Sequence, residues 1–129
     1  MSNFKLGPNQ RKWLRELPKY AKTEGALYIP GEGFCCLGVA AELFSPAPWE
    51  IDKGGDAFYR DRFARRNLAS LAAEDWQALG LRSGAGSFDA WFSGYRNLVD
   101  VNDNNPDWTH ADMAKFIRKH ADKIFVEAK

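Results

Sequence analysis

The sequence predicts an α+β domain, and three observations carry the prediction. Residues 36–44, Cys-Leu-Gly-Val-Ala-Ala-Glu-Leu-Phe, are apolar nearly all round, as in a helix buried at the centre of a fold. Short strand-like pieces lie on both sides of this run, joined by turns rich in Gly, Pro and Asp. Segments near both ends of the chain place apolar residues at helical spacing. The expected architecture is three to four helices packed on a small antiparallel sheet of short hairpins, with the central helix starting near Cys36.

Taken in order, residues 1–8 read as a short flexible lead-in, and Pro8 or Asn9 can open a helix as first-turn proline or as cap. Trp13, Leu14, Leu17, Tyr20 and Ala21 share one helical face, and Pro18 stops or kinks the helix near Leu17. Residues 26–29 read as a strand, 30–33 as a turn, and Phe34 as the start of the return. Gly38 inside the central helix costs about 1 kcal/mol relative to Ala, which predicts close approach of another backbone. Residues 49–52 and 57–60 flank Lys53-Gly54-Gly55-Asp56 and predict a hairpin. Residues 71–79 predict a short helix with Ala72, Trp76 and Leu79 inward and Gly80 as its left-handed stop. Residues 82–87 read as a Gly/Ser loop. The last helix has Thr109 as cap, Asp112 in the first turn, Trp108 and Met113 at staple positions, and an inward stripe of Met113, Phe116, Ile117, His120 and Ile124.

A chain of 129 residues suits one domain, with 45% hydrophobic and 14% aromatic residues to fill a core. The net charge of +1 excludes a strongly basic nucleic-acid binder and an acidic DNA mimic, and no duplex DNA partner is expected. The only two cysteines are adjacent, so they cannot staple a fold. No apolar run approaches a membrane span and the first twelve residues have no signal-type apolar region, which predicts a cytoplasmic protein with free thiols.

Three segments together carry a resemblance. Phe34-Cys35-Cys36-Leu37-Gly38-Val39 resembles the GFCCLGV signature of a family of small uncharacterised phage and prophage proteins. Residues 71–81, with Trp76 and the Leu-Gly-Leu ending, resemble that family's middle stretch, and Asn102-Asp103 followed by residues 113–117 resembles its C-terminal segment. The order matches over residues 10–120, with Ala72 in place of a proline and Val101 in place of a leucine. The resemblance implies a small accessory protein acting inside a bacterium, in the host cytoplasm if phage-encoded, of the kind that redirects or disarms host machinery; it implies no catalytic set and no cofactor.

Two groups of residues could carry chemistry. Cys35 and Cys36 follow a strand and a glycine turn and open a helix, where the dipole favours thiolate; His110 is a candidate base, oriented by Asp107 or Asp112. The competing reading is that both thiols are small buried hydrophobes. Arg60, Arg62, Arg65 and Arg66 form the densest basic cluster, interleaved with Phe58, Tyr59 and Phe63, and Tyr59 with these arginines is the candidate ligand-binding set for phosphate or base recognition. Asp100, Asn102 and Asn104 mimic the start of a calcium loop, but Asn105 and Ala111 stand where glycine and glutamate are needed, so a turn-rich connection is expected and no metal. His120 is expected at the core edge.

Two function classes with a third in reserve follow from this reading. One is a binder, either of a host protein such as a defence component or of a small phosphorylated ligand such as a nucleotide signal. The second is a cysteine-dependent hydrolase or transferase. The third is a structural or assembly protein.

Overall fold

The structure, a computed structural model, describes residues 4–45, 48–60, 65–66, 70–92 and 94–129, with the backbone alone for Arg60, Arg65, Arg66, Trp91 and Phe92. Arg62 and Phe63 lie outside the described residues. The architecture is α+β, with six α-helices and three small antiparallel sheets among the described residues.

Helix α1, Pro8–Glu16, begins with proline at its first position and continues into a 3-10 turn, Leu17–Lys19, that contains Pro18. Trp13, Leu14 and Leu17 are buried, whereas Tyr20 and Ala21 leave the helical face because the α-helix has already ended. The lead-in is anchored from Phe4 onward. The Phe4 ring stacks on Phe125, and the Gly7 N–H donates to Gln10 Oε1 at 2.8 Å.

Strands β1 (Tyr28–Ile29) and β2 (Gly33–Phe34) form the first hairpin and lead into α2, Cys36–Phe44. Helix α2 is the centre of the core: Cys36, Leu37, Gly38, Val39, Ala40 and Ala41 are all buried. Gly38 is required there, since a Cβ would stand 1.7 Å from the carbonyl oxygen of Leu27.

Strands β3 (Glu50–Ile51), β4 (Ala57–Arg60) and β5 (Arg65–Arg66) make a three-stranded sheet, with Gly55 at φ 87° in the first turn. Asp52 Oδ1 accepts from the N–H groups of Gly54 and Asp56 and locks that turn. Helix α3, Ala73–Ala78, is flanked by the buried Ala72 and Leu79, both expected inward, and Trp76 packs partly buried against the core; Asp75 is buried as well, which the pattern did not show. Gly80 at φ 68° ends the helix, with Leu81 N–H bonded to Trp76 O and Gly80 N–H to Gln77 O, both at 3.0 Å, as the Schellman pattern requires.

The expected turn-rich connection before the last helix is partly helical. A hairpin of β6 (Ser87–Phe92) and β7 (Tyr95–Asn97) runs directly into α4, Leu98–Asp103. Asn97 caps α4 by accepting the Asp100 N–H at 2.9 Å, and Leu98 and Val101 bury the apolar face. Helix α5, His110–Lys119, carries the Thr109/Asp112 capping box; the chain breaks at His120 and resumes as α6, Ala121–Ile124.

Candidate functional site

The cysteine motif is built into the core. Cys35 is the N-cap of α2, and its Sγ accepts the Gly38 N–H at 3.3 Å. The N–H of Cys36, another unpaired donor of that first turn, donates to Asn102 Oδ1 at 3.1 Å. Both thiols are buried. Burial pushes Cys35 up to about 12, against the smaller opposing effect of the Gly38 N–H. Burial, and then the neighbouring Cys35, push Cys36 up as well. The helix start that could have stabilised a thiolate instead holds a neutral thiol, because removing charge from water outweighs one weak N–H···S bond.

His110 sits at the first position of α5, and its side chain reaches back to β2. Nε2 lies 2.9 Å from the Phe34 carbonyl oxygen; a carbonyl only accepts, so Nε2 carries the proton. That leaves Nδ1 as a buried acceptor with no donor among the described residues. Burial lowers the imidazole to about 4, more than the Phe34 carbonyl raises it, so the ring is neutral at physiological pH. The residues expected to orient it do otherwise: Asp112 Oδ2 accepts from the Thr109 N–H at 2.9 Å, and Asp107 is exposed. His110 therefore clamps α5 to the strand before the cysteines, and its protonated nitrogen faces a carbonyl rather than a thiol. His120 is partly exposed, with its ring 4.6 Å from Phe116.

Asn102, which the sequence suggested only as a calcium-loop mimic and turn residue, and Lys22, which sequence reasoning did not single out, hold this region together. Asn102 is fully buried; besides capping Cys36, its Nδ2 donates to Thr23 O and Asp103 Oδ1, both at 3.0 Å. Lys22 Nζ donates to Glu24 Oε2 at 2.8 Å and to the carbonyls of Asn102 and Asn105 at 2.9 and 3.0 Å. Asp100, Asn102 and Asn104 are thus helix and helix-end residues. Among the described residues no group of three or more His, Cys, Asp or Glu is placed to hold a metal ion.

The arginine cluster is assembled by strand register. Strands β4 and β5 pair antiparallel with Arg60 opposite Arg65 and Tyr59 opposite Arg66, so three of the four expected arginines occupy one two-residue ladder. Tyr59 itself is a correction to the expected set. It is 1% exposed, and its hydroxyl donates to Asp75 Oδ2 and accepts the Ala72 N–H, each at 2.8 Å. It therefore ties β4 to the start of α3 and does not face a ligand.

Aromatic rings connect this sheet to the first hairpin. Tyr28 stacks on Phe34 at 4.4 Å between centroids; Trp49 packs on Tyr28 at 5.2 Å and on Tyr59 at 5.3 Å. Beside Tyr28 opens a cleft of about 320 Å³ between residues 24–30 and the β3–β4 turn, with Glu24, Ile29, Asp56 and Ala57 among its walls. No described helix is long and apolar enough to cross a membrane. No family model matches this chain, and neither a curated protein nor a solved structure does.

Proposed function

We propose that the chain is a small accessory protein of the phage type it resembles, acting inside a bacterium by capturing a phosphorylated small molecule rather than by thiol chemistry. The observation that carries this reading is the β4–β5 register, with Arg60 directly opposite Arg65. Like charges at directly opposed positions of an antiparallel pair repel, and an anion between them turns that cost into attraction. Guanidinium groups suit the task because each offers a planar fork of donors that matches phosphate oxygens.

The state of the thiols supports a binder over the hydrolase alternative. A nucleophilic cysteine works as the thiolate and needs a base within hydrogen-bond reach. Here burial raises both thiols, and the basic nitrogen of His110, Nδ1, has no hydrogen-bond partner among the described residues, so neither thiol is within its reach.

The test is calorimetric titration of the full chain with inorganic triphosphate and with ATP, for wild type and for Arg60→Glu/Arg65→Glu. Binding to wild type that weakens with added salt, and at least about a tenfold loss in the variant, is expected. No binding to either probe, or equal binding by a folded variant, overturns the proposal.

A further inference from the structure

The cleft beside Tyr28 says more about the ligand, and what it says rests on the arginine reading above. We infer that the cleft is a nucleobase pocket selective for guanine, so that the captured molecule is a guanine nucleoside polyphosphate. At about 320 Å³ the cleft lies at the lower end of small-molecule sites and suits a base rather than a whole nucleotide.

Its walls carry two features of base recognition. Tyr28 supplies a ring already fixed by its stack on Phe34 and its contact with Trp49, so stacking a base on it costs little further ordering. Asp56 supplies a carboxylate at the rim. Its backbone N–H is spent on Asp52, while its side chain has no hydrogen-bond partner among the described residues.

A single carboxylate with two free oxygens distinguishes the purines. Guanine presents N1–H and the exocyclic N2–H side by side, so both donate to one carboxylate. Adenine presents one N6–H beside the N1 lone pair, and that lone pair would face the second oxygen. The far wall is firm, because the Gly25 N–H donates to Asp103 Oδ1 at 3.3 Å and Glu24 is held by Lys22 at 2.8 Å.

Strand geometry sets the rest of the ligand. Asp56 and Arg60 are four residues apart along the chain, so at roughly 3.3 Å per residue the backbone of the arginine pair lies roughly 13 Å from that of Asp56. A phosphate chain of two or more units spans that distance from a base in the cleft, whereas a single phosphate falls short.

Titrating the full chain with GTP, ATP and inorganic triphosphate tests this, using wild type, Asp56→Asn and Tyr28→Leu. GTP should bind wild type about tenfold or more tighter than ATP. Asp56→Asn should remove that preference while leaving triphosphate binding unchanged. Tyr28→Leu should weaken both nucleotides and spare triphosphate. Equal affinity for GTP and ATP in wild type, or a preference that survives Asp56→Asn, overturns the base pocket; if triphosphate binding still depends on Arg60 and Arg65, the arginine reading stands without it. Absence of triphosphate binding overturns both.

Discussion

A cysteine at a helix start is chemically ambiguous, and Cys35 shows what resolves the ambiguity. The same N–H group that could stabilise a thiolate serves equally well to be capped by a thiol, and burial decides between the two. The sequence identified the position and the helix but carried no information on burial from outside the helix. His110 has the same history. Its place at the start of α5 was legible from Thr109 and Asp112, yet its partner, the carbonyl of Phe34, is 76 residues away. These residues make stability depend on pH from both sides. His110 is held neutral in the fold at about 4, whereas the unfolded ring titrates near 6.5; between these values the unfolded chain binds more protons, so stability falls as pH drops from about 6.5 to about 4. The thiols act in the opposite sense. Their folded values are raised, so stability is lost as pH climbs above the ordinary cysteine range near 9. Urea unfolding from pH 4 to 10 should show a plateau between about 6.5 and 9, with an acid loss on the order of 2 kcal/mol that His110→Gln flattens. An acid limb of the same size in His110→Gln would assign it to other groups.

At the scale of elements, local signals located most helices and missed what joins them. Pro8, Pro18, Gly80 and Thr109 were legible as boundaries because each acts on its own backbone. Helix α4 was hidden by its composition: a run of Asp and Asn reads as turn, but here Asn97 caps the helix and Leu98 and Val101 pin it to the core. The β6–β7 hairpin was hidden too, since residues 82–87 read as loop and Gly94 supplies a turn the reading did not use. Whether the hairpins share a sheet was not legible in the sequence; among the described residues they form three small sheets, and ring packing links the first two. The main join between elements is Asn102, which runs from α4 to the first turn of α2 and to Thr23. It also brings Phe34-to-Val39 and Asn102-Asp103 together in space: the second caps the helix that the first begins. Asn102→Asp keeps the volume but replaces the Nδ2 donor by an oxygen facing the carbonyl of Thr23. Denaturant unfolding should show a loss of about 2–4 kcal/mol. A change below about 0.5 kcal/mol would mean that Asn102 is not the join.

For the molecule as a whole, the two chain ends close the core together. Gln10 is fully buried, and its Nε2 donates to Leu79 O at 2.9 Å and to Glu127 O at 2.8 Å. The N–H groups of Asn9 and Gln10 donate to the carbonyl of Lys129, and Phe125 packs between Phe4 and Trp13. These contacts span most of the chain, and no local pattern could have revealed them; the sequence showed only that enough apolar residues were present. The arginine cluster was legible as a density of charge, but the pairing of Arg60 with Arg65 needed the register. The result is a molecule whose cysteine motif organises the interior and whose candidate binding chemistry lies on the sheet and its adjoining cleft. That division is tested most directly by alkylating the native protein between pH 5 and 9 and reading Cys35 and Cys36 separately by peptide mass spectrometry. The account predicts slow labelling of both at every pH in the range, accelerating only when denaturant unfolds the chain. Rapid labelling of either thiol below pH 8 in the folded protein would contradict it and return the motif to the role of a nucleophile.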